Sequence, residues 1–349
     1  MSVLSGIFFH MVGGFCAGSF YLPLKKVREW SWESYWLVNG IVAWLLLPVV
    51  IAIFIVPDLW QVYVETPKST LGWTYFFGVL WGIGGLTFGL TMRYLGMALG
   101  MALALGLTAI IGTIVPPAYS GELLQMLMTD AGKTVLFGVG LIGVGIVICG
   151  FAGMSKDKDV LKGGGDKTAI SEFSLVKGLW VALIAGIMSA CMAFGLASAK
   201  PIAELSLTYG VESIWQNTAT FVIIFSGGLT TNLVWCFYLN GKNKSFWNYF
   251  NLSRRGCYNY LLCVLAGVIW YGQFMFYGIG TTYMGKFEFA GWSLHMAFII
   301  IFSTMWGFIT NEWFGATKKT LLKNAAGITM LILAIMIIGY GSYLQFKSV

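Results

Sequence analysis

The chain has 349 residues, of which 58% are hydrophobic and only 10% are charged, and its mean hydropathy is +0.79. So few charges cannot cover the surface of a water-soluble protein of this length, which excludes a soluble fold and indicates an integral membrane protein. The basic residues behind the net charge of +7 lie between apolar runs and form no clustered basic face, so nucleic acid is not an expected partner.

Ten apolar runs are long enough to cross a bilayer, because a helix needs roughly 20 apolar residues to span about 30 Å of hydrocarbon. In chain order the predicted spans cover residues 4–23, 34–56, 71–92, 96–118, 134–153, 175–198, 213–239, 257–280, 287–309 and 324–345. Only a tight turn, Arg93-Tyr94-Leu95, separates the third span from the fourth. The first run lacks the positively charged segment that precedes a cleaved signal peptide, so we expect it to remain as a helix.

The distribution of Lys and Arg predicts the orientation, since basic residues in short loops mark the cytoplasmic side. Sixteen basic residues follow odd-numbered spans and five lie on the opposite side. We therefore expect both termini outside, in the periplasm if the cell is Gram-negative, and a location in the bacterial inner membrane. The long glycine-containing loop 154–174 is then a cytoplasmic linker between a first five-helix repeat, 1–153, and a second, 175–349.

The two halves share a residue pattern. At one constant offset, Trp81, Phe88, Gly89, Tyr94 and Gly96 match Trp270, Tyr277, Gly278, Tyr283 and Gly285, and a weaker match pairs Cys16 and Lys25 with Cys191 and Lys200. Because each half has an odd number of spans, the second half would enter the membrane upside down. Inverted repeats are typical of secondary transporters with alternating access. Chance coincidence in glycine- and aromatic-rich helices is the alternative.

Several segments carry a specific family resemblance. They are residues 6–10, 21–27, 30–33, 81–84, 89–97, 199–201, 270–274 and 292–296. The string Leu-Thr-Met-Arg-Tyr-Leu-Gly-Met, residues 90–97, runs from the end of the third predicted span into the fourth and is specific. Together they resemble the L-rhamnose–proton symporter family of the drug/metabolite transporter superfamily. The resemblance implies an all-α membrane fold of ten transmembrane helices, arranged as two inverted five-helix repeats. It also implies proton-driven uptake of a sugar, with the proton as coupling ion and no other cofactor.

The chain departs from this family at four helical positions. Gly85, Thr87 and Phe88 stand where the compared member has Asn, Asn and Tyr, and Ala197 stands where it has Asn. These differences remove three amides and a phenol that could hydrogen-bond a sugar. The expected substrate is therefore a small neutral sugar, L-rhamnose or a related one.

Both histidines of the chain, His10 and His295, lie inside predicted spans. Ionisable groups in spans are costly and usually face the protein interior or a water-filled cavity. Counted from the outer surface, His10 lies ~9 Å and His295 ~12 Å deep, so the two could line one cavity. Histidine also exchanges protons nearest neutral pH, which suits proton coupling. A structural histidine bonded to the backbone is the alternative for each.

Glu288 precedes His295 by two helical turns on the same face of the ninth span. Desolvation raises the pKa of a carboxylate in an apolar site, and binding a proton or a cation removes the free-energy cost of the buried charge. We therefore predict that Glu288 joins the histidines in proton coupling. A position in the outer headgroup zone near Lys286 is the alternative.

An aromatic and amide stripe predicts the sugar site. It consists of Trp270, Gln273, Phe274 and Tyr277 on the eighth span, with Trp292 on the ninth. Sugars commonly rest on an aromatic platform with amides or hydroxyls at its rim. An interfacial aromatic belt is the competing interpretation of Trp270, but the mid-span position of Gln273 argues against it.

Two charged residues near span ends, Arg93 and Glu33, are interpreted as cytoplasmic anchors, with gating as the alternative role. The sequence has no metal cluster, nucleophile elbow or phosphate-binding loop, and its six cysteines form no CxxC pair, so neither an enzyme nor a metal site is expected. The expected partners are the sugar, protons and the lipid bilayer. An exporter or exchanger of another small metabolite on the same fold is the main rival function.

Overall fold

The computed structural model describes residues 3–95, 97–162 and 174–347, and every regular element in these ranges is helical. The α-helices are α1 (Val3–Ser19), α2 (Tyr21–Leu24), α3 (Trp32–Ile41), α4 (Leu47–Ile55), α5 (Leu59–Glu65), α6 (Lys68–Leu95), α7 (Met97–Tyr119), α8 (Glu122–Leu127), α9 (Asp130–Lys162), α10 (Leu175–Ser198), α11 (Lys200–Thr208), α12 (Thr218–Asn243), α13 (Arg254–Thr282), α14 (Ala290–Ile309) and α15 (Lys318–Lys347). A π-helical turn, Val42–Leu46, joins α3 to α4. The predicted all-α class is confirmed across the described ranges.

Nine helical segments of the described residues are long and apolar enough to cross a membrane. They are Val3–Leu24, Trp32–Ile55, Lys68–Met92, Asp130–Asp159, Val176–Thr208, Ser213–Asn243, Arg254–Thr282, Ala290–Ile309 and Lys318–Gln345, and each overlaps one predicted span. The remaining predicted span, 96–118, corresponds to the helix α7, Met97–Tyr119, which contains the apolar segment Leu103–Tyr119. This set of helices is that of a multi-pass membrane protein.

Two predicted boundaries differ from the structure. The predicted turn at Arg93-Tyr94-Leu95 is wrong, because α6 remains helical through Leu95 and α7 begins at Met97. The helix α9 continues to Lys162, well into the segment 154–174 predicted as a linker, and residues 163–173 lie outside the described ranges. Charged residues such as Lys158 can extend a helix into water, which a search for apolar runs does not detect.

The first long helix of each half packs against two long helices of the other half, and we call this arrangement the reciprocal packing. The first helix α1 packs against α13 and α14, and α10 packs against α6 and α7. α1 runs antiparallel to α13, since Gly6 meets Gly280 while Gly13 meets the backbone of Gln273. α9 and α15 form a long pair of their own. These contacts bring the eighth and ninth predicted spans directly against the first.

The largest buried cluster joins aromatic side chains of both halves of the chain. Trp44 from the π-helical turn meets Trp270 of α13 with ring centroids 5.6 Å apart and Trp81 of α6 at 6.4 Å. Phe225 of α12 closes the group at 5.4 Å from Trp270. This aromatic cluster, defined by Trp44, Trp81, Phe225 and Trp270, lies beside the candidate site.

Candidate functional site

Two histidines from different helices contact one tyrosine ring. The ring of Tyr277 in α13 packs edge-on against His10 of α1 and His295 of α14, with centroids 5.3 Å and 5.4 Å apart respectively. Both histidine side chains are 0% exposed. The structure therefore brings His10 and His295 together around Tyr277, and we refer to these three residues as the histidine cluster.

Glycines make this approach possible. α1 and α14 run parallel here, and each presents a glycine to the histidine of the other. A Cβ added at Gly291 would lie 2.7 Å from Nε2 of His10, and one added at Gly13 would lie 3.3 Å from Cε1 of His295. Gly13 follows His10 by three residues and Gly291 precedes His295 by four, so each histidine and glycine share a helical face. The spacing His-x-x-Gly with Gly-x-x-x-His is therefore the local pattern that builds the cluster.

No ring nitrogen of either histidine has a hydrogen-bond partner among the residues the structure describes. A structural histidine bonded to the backbone, the alternative considered from the sequence, therefore does not fit the geometry of His10 or His295. Burying a polar group without a partner costs about 1–3 kcal/mol, so neither imidazole stabilises the fold through hydrogen bonds in this structure. Reversible proton binding at these nitrogens is a chemical use that the arrangement allows.

Trp292 links the histidine cluster to α7. Its indole Nε1 donates a hydrogen bond to the carbonyl oxygen of Thr108 at 3.1 Å, and its ring lies 5.7 Å from the ring of Tyr277. The neighbouring Ser293 hydroxyl lies 2.7 Å from the hydroxyl of Thr113, also in α7. α7 is thus held against the helix that carries His295.

The predicted sugar-binding stripe on α13 is buried along its length. Trp270 and Phe274 pack with centroids 5.1 Å apart, and Phe274 continues to Tyr277 at 6.3 Å. Gln273 is buried beside them, and its side-chain amide has no hydrogen-bond partner in the described part of the chain. The stripe therefore connects the aromatic cluster at Trp270 to the histidine cluster at Tyr277.

Glu288 lies at a different position from the one predicted for proton loading. Its carboxylate pairs with Nζ of Lys200 at 3.0 Å, and its side chain is 46% exposed. The alternative interpretation, a position near the surface, describes this location, with Lys200 rather than Lys286 as the partner. Participation of Glu288 in coupling stays a prediction, to be tested beside the histidines.

A second ion pair, which the sequence did not reveal, lies near the opposite end of α13. Nζ of Lys25 lies 2.6 Å from the carboxylate of Glu312. The pKa of the Glu312 carboxyl is below its usual value: burial would raise it, and the hydrogen bond and charge of Lys25 outweigh that effect. This pair lies beside the Arg254 end of α13, where Arg28 accepts a hydrogen bond from Asn259, whereas the Lys200–Glu288 pair follows the Thr282 end.

The two residues considered for gating have different surroundings. Glu33 is buried and accepts hydrogen bonds from the hydroxyl of Ser245 at 2.6 Å and the amide of Asn243 at 3.1 Å. These bonds tie the start of α3 to the end of α12. Arg93 belongs to the last turns of α6, and its side chain lies outside the described part of the structure.

Two side chains beside the aromatic cluster were missed by the sequence analysis. Both amide atoms of Asn39 in α3 are buried without a hydrogen-bond partner in the described ranges, and the same holds for the indole Nε1 of Trp44. An asparagine within an apolar span was the available clue, since polar side chains inside spans tend to be functional.

Comparison with known proteins identifies the family of this chain. The family described as L-rhamnose-proton symport protein (RhaT) matches residues 1–343. Proteins named L-rhamnose-proton symporter from Salmonella gallinarum and Salmonella paratyphi A are each 39% identical to this chain over 346 residues, and one from Salmonella paratyphi B is 38% identical. These alignments cover 97% of this chain and 98% of each relative. The resemblance inferred from the sequence is thereby confirmed, and the chain belongs to the L-rhamnose-proton symport protein family.

Proposed function

We propose that this protein is a secondary active transporter that imports a small neutral sugar, L-rhamnose or a close relative, together with protons. The observation that carries the proposal is the family match over residues 1–343. The buried stripe of Trp270, Gln273 and Phe274 fits a neutral sugar, since it offers aromatic faces and an unpartnered amide but no charge. The departures at Gly85, Thr87, Phe88 and Ala197 leave room for a related sugar.

The architecture that we propose has ten spans in two inverted repeats, as in the drug/metabolite transporter superfamily. It is supported by the constant offset between the halves and by the reciprocal packing. If the first span corresponds to the sixth, then α1 against α13 and α14 corresponds to α10 against α6 and α7. In the same scheme α9 corresponds to α15, so exchanging the two halves maps this helix pair onto itself. The tenth span in this scheme is α7.

In alternating access, the site between the repeats opens to one side at a time. The conformation described by the structure is closed around the histidine cluster, because His10 and His295 have no exposed surface. We propose that the Lys25–Glu312 pair closes the inner end and the Lys200–Glu288 pair the outer end. Opening either end breaks its pair, and Glu33 and Arg93 would contribute to the inner closure.

Proton coupling is assigned to His10 and His295, with Glu288 as a further candidate at the outer entrance. A proton on the histidine cluster and a sugar on the adjacent stripe would each raise the affinity for the other by the same factor. Contact of Tyr277 with both histidines and with Phe274 supports this coupling, because it connects the two sites directly.

The test of the proposed function is uptake of labelled L-rhamnose into proteoliposomes. A gradient of one pH unit, acidic outside, is worth about 1.4 kcal/mol per proton. With one proton per sugar we therefore expect up to about tenfold accumulation. A protonophore should reduce it to equilibration. Sugar entry that is indifferent to the gradient, or no entry of L-rhamnose and its stereoisomers, would contradict the proposal.

We further propose an inner-membrane protein with both termini in the periplasm and loop 154–174 in the cytoplasm, on the basis of the sixteen-to-five distribution of basic residues. In a cysteine-free background, a Gly164→Cys variant in intact cells should resist a membrane-impermeant thiol reagent, while Ser348→Cys should react. Equal labelling rates at the two positions would reverse this assignment.

A further inference from the structure

We infer that Asn39 and Trp44 of the second span form an additional wall of the sugar site and bind sugar hydroxyls, an inference that rests on the proposed function. Asn39 is 0% exposed, and neither its amide nitrogen nor its amide oxygen has a partner within the described ranges. By contrast, the buried amides of Asn232, Asn240 and Asn259 all make hydrogen bonds. A buried amide left without partners is costly, so Asn39 differs from its neighbours in lacking a structural use.

The indole of Trp44 has the same property. Its ring is 3% exposed and its Nε1 has no hydrogen-bond acceptor among the described residues, whereas the Nε1 of Trp36, two turns earlier, donates to Asn232 at 3.0 Å. The ring of Trp44 lies against Gly40, next to Asn39, since a Cβ at Gly40 would lie 2.6 Å from Cε3 of Trp44. Two donors and one acceptor without partners are therefore concentrated within one short stretch of the second span.

This stretch has an unusual backbone. The π-helical turn Val42–Leu46 carries Trp44, and such turns are rare and are often found at functional sites. The ring of Trp44 packs edge-on against Trp270 at 85° and against Trp81 at 87°. The ring of Trp44 thus extends the aromatic platform that begins on α13.

Asn39 lies against the middle of α13, where the substrate site of a transporter is expected. A Cβ at Gly267 would lie 3.0 Å from the backbone oxygen of Asn39, which places Asn39 one turn before Trp270. Gly267 and Trp270 lie at the middle of α13, which extends from Arg254 to Thr282. Substrate sites of inverted-repeat transporters lie near this midplane. A sugar here would have Trp81 and Trp270 as aromatic surfaces, Gln273 on one side and Asn39 with Trp44 on the other.

The experiment compares Asn39→Leu and Trp44→Phe with a matched control, Asn232→Leu, by measuring both thermal stability and equilibrium binding of L-rhamnose to the purified protein. Leucine has the same number and branching of side-chain heavy atoms as asparagine and leaves no unpartnered amide, so Asn39→Leu should keep or raise the melting temperature. Its dissociation constant for L-rhamnose should increase by roughly 5- to 150-fold, the effect of losing a buried hydrogen bond to substrate. Trp44→Phe, which keeps an aromatic ring, should weaken binding less, in the same direction.

The control should behave in the opposite way, because Asn232 bonds both Trp36 and Gly228. We expect Asn232→Leu to lower the melting temperature and to leave the affinity of the folded protein unchanged. If Asn39→Leu gains stability but binds L-rhamnose as tightly as the unaltered protein, Asn39 is a packing residue and the inference is overturned. If the unaltered protein neither binds nor transports sugars, the proposed function fails first and the inference falls with it.

Discussion

Replacing His10 or His295 with glutamine is expected to abolish proton-driven accumulation of sugar while leaving passive sugar exchange largely intact. Glutamine keeps a polar side chain of similar reach but cannot bind and release a proton near neutral pH. Both imidazoles are buried, without hydrogen-bond partners in the described part of the chain, so little structural bonding is lost. The expected result is therefore a functional change without unfolding.

The physical reason is reciprocity between the two ligands. In a symporter the proton must raise the affinity for sugar, and the sugar must raise the affinity for the proton by the same factor. A carrier whose proton site is removed can still alternate with sugar alone, so the sugar equilibrates instead of accumulating. The accumulation ratio should fall from up to about tenfold per pH unit to about one.

The measurement uses three reconstituted variants, His10→Gln, His295→Gln and Glu288→Gln. Each is assayed for concentrative uptake under an inward proton gradient and for counterflow of L-rhamnose without a gradient. His10→Gln and His295→Gln should each lose the first activity and keep the second. Glu288→Gln serves as the internal comparison, because Glu288 is paired with Lys200 and is 46% exposed, unlike the histidines. Retention of concentrative uptake by all three variants would mean that coupling lies elsewhere or that the ion is not a proton.

The sequence was sufficient for the helical class and most spans, because an apolar run of fixed length is a local property that the bilayer imposes. It also identified His10 and His295, since two ionisable residues inside spans stand out in composition. What it could not provide were pairings between distant residues. Lys200 rather than Lys286 pairs with Glu288, and that choice depends on how α11 and α14 pack.

Sequence rules that consider only neighbouring residues also gave wrong or incomplete predictions where tertiary packing or contact with water determines the structure. The turn predicted at residues 93–95 is helical, because a basic and an aromatic residue at the end of a span are compatible with a continuing helix. Asn39 was overlooked because one amide hardly changes the hydropathy of an apolar run. Its significance lies in the absence of a partner among the described residues, which only the three-dimensional arrangement reveals.

A large effect on stability is expected from Gly78→Ala, although alanine is normally the better helix former. α6 and α12 meet at Gly78 and Gly227, where a Cβ on Gly78 would collide with the carbonyl oxygen of Ile224 and lie 3.0 Å from its carbonyl carbon. These atoms belong to the backbone and cannot rotate away. A Cβ on Gly227 would lie 2.9 Å from the carbonyl carbon of Gly78, so the contact is tight from both sides.

The matched control is Gly72→Ala in the same helix. Nothing lies within 4 Å of a Cβ at Gly72, and this residue is exposed on the surface of α6. There the gain in helix propensity, about 1 kcal/mol, should leave the melting temperature unchanged or higher. At Gly78 the same gain is opposed by overpacking that typically costs about 1–3 kcal/mol, and the collision with backbone should place the cost at the upper end or above.

Thermal unfolding of the purified variants measures the difference. We expect Gly78→Ala to unfold at a lower temperature than the unaltered protein and Gly72→Ala to unfold at the same or a higher one. Gly78→Leu should fail to give monodisperse protein, because the larger side chain forces the helices apart, whereas Gly72→Leu should be tolerated. Equal melting temperatures for the two alanine variants would show that α6 and α12 do not pack at Gly78. The helix pair that carries Trp81 and Phe225 would then be arranged differently, and the aromatic cluster beside the sugar stripe would have to be rebuilt around another contact.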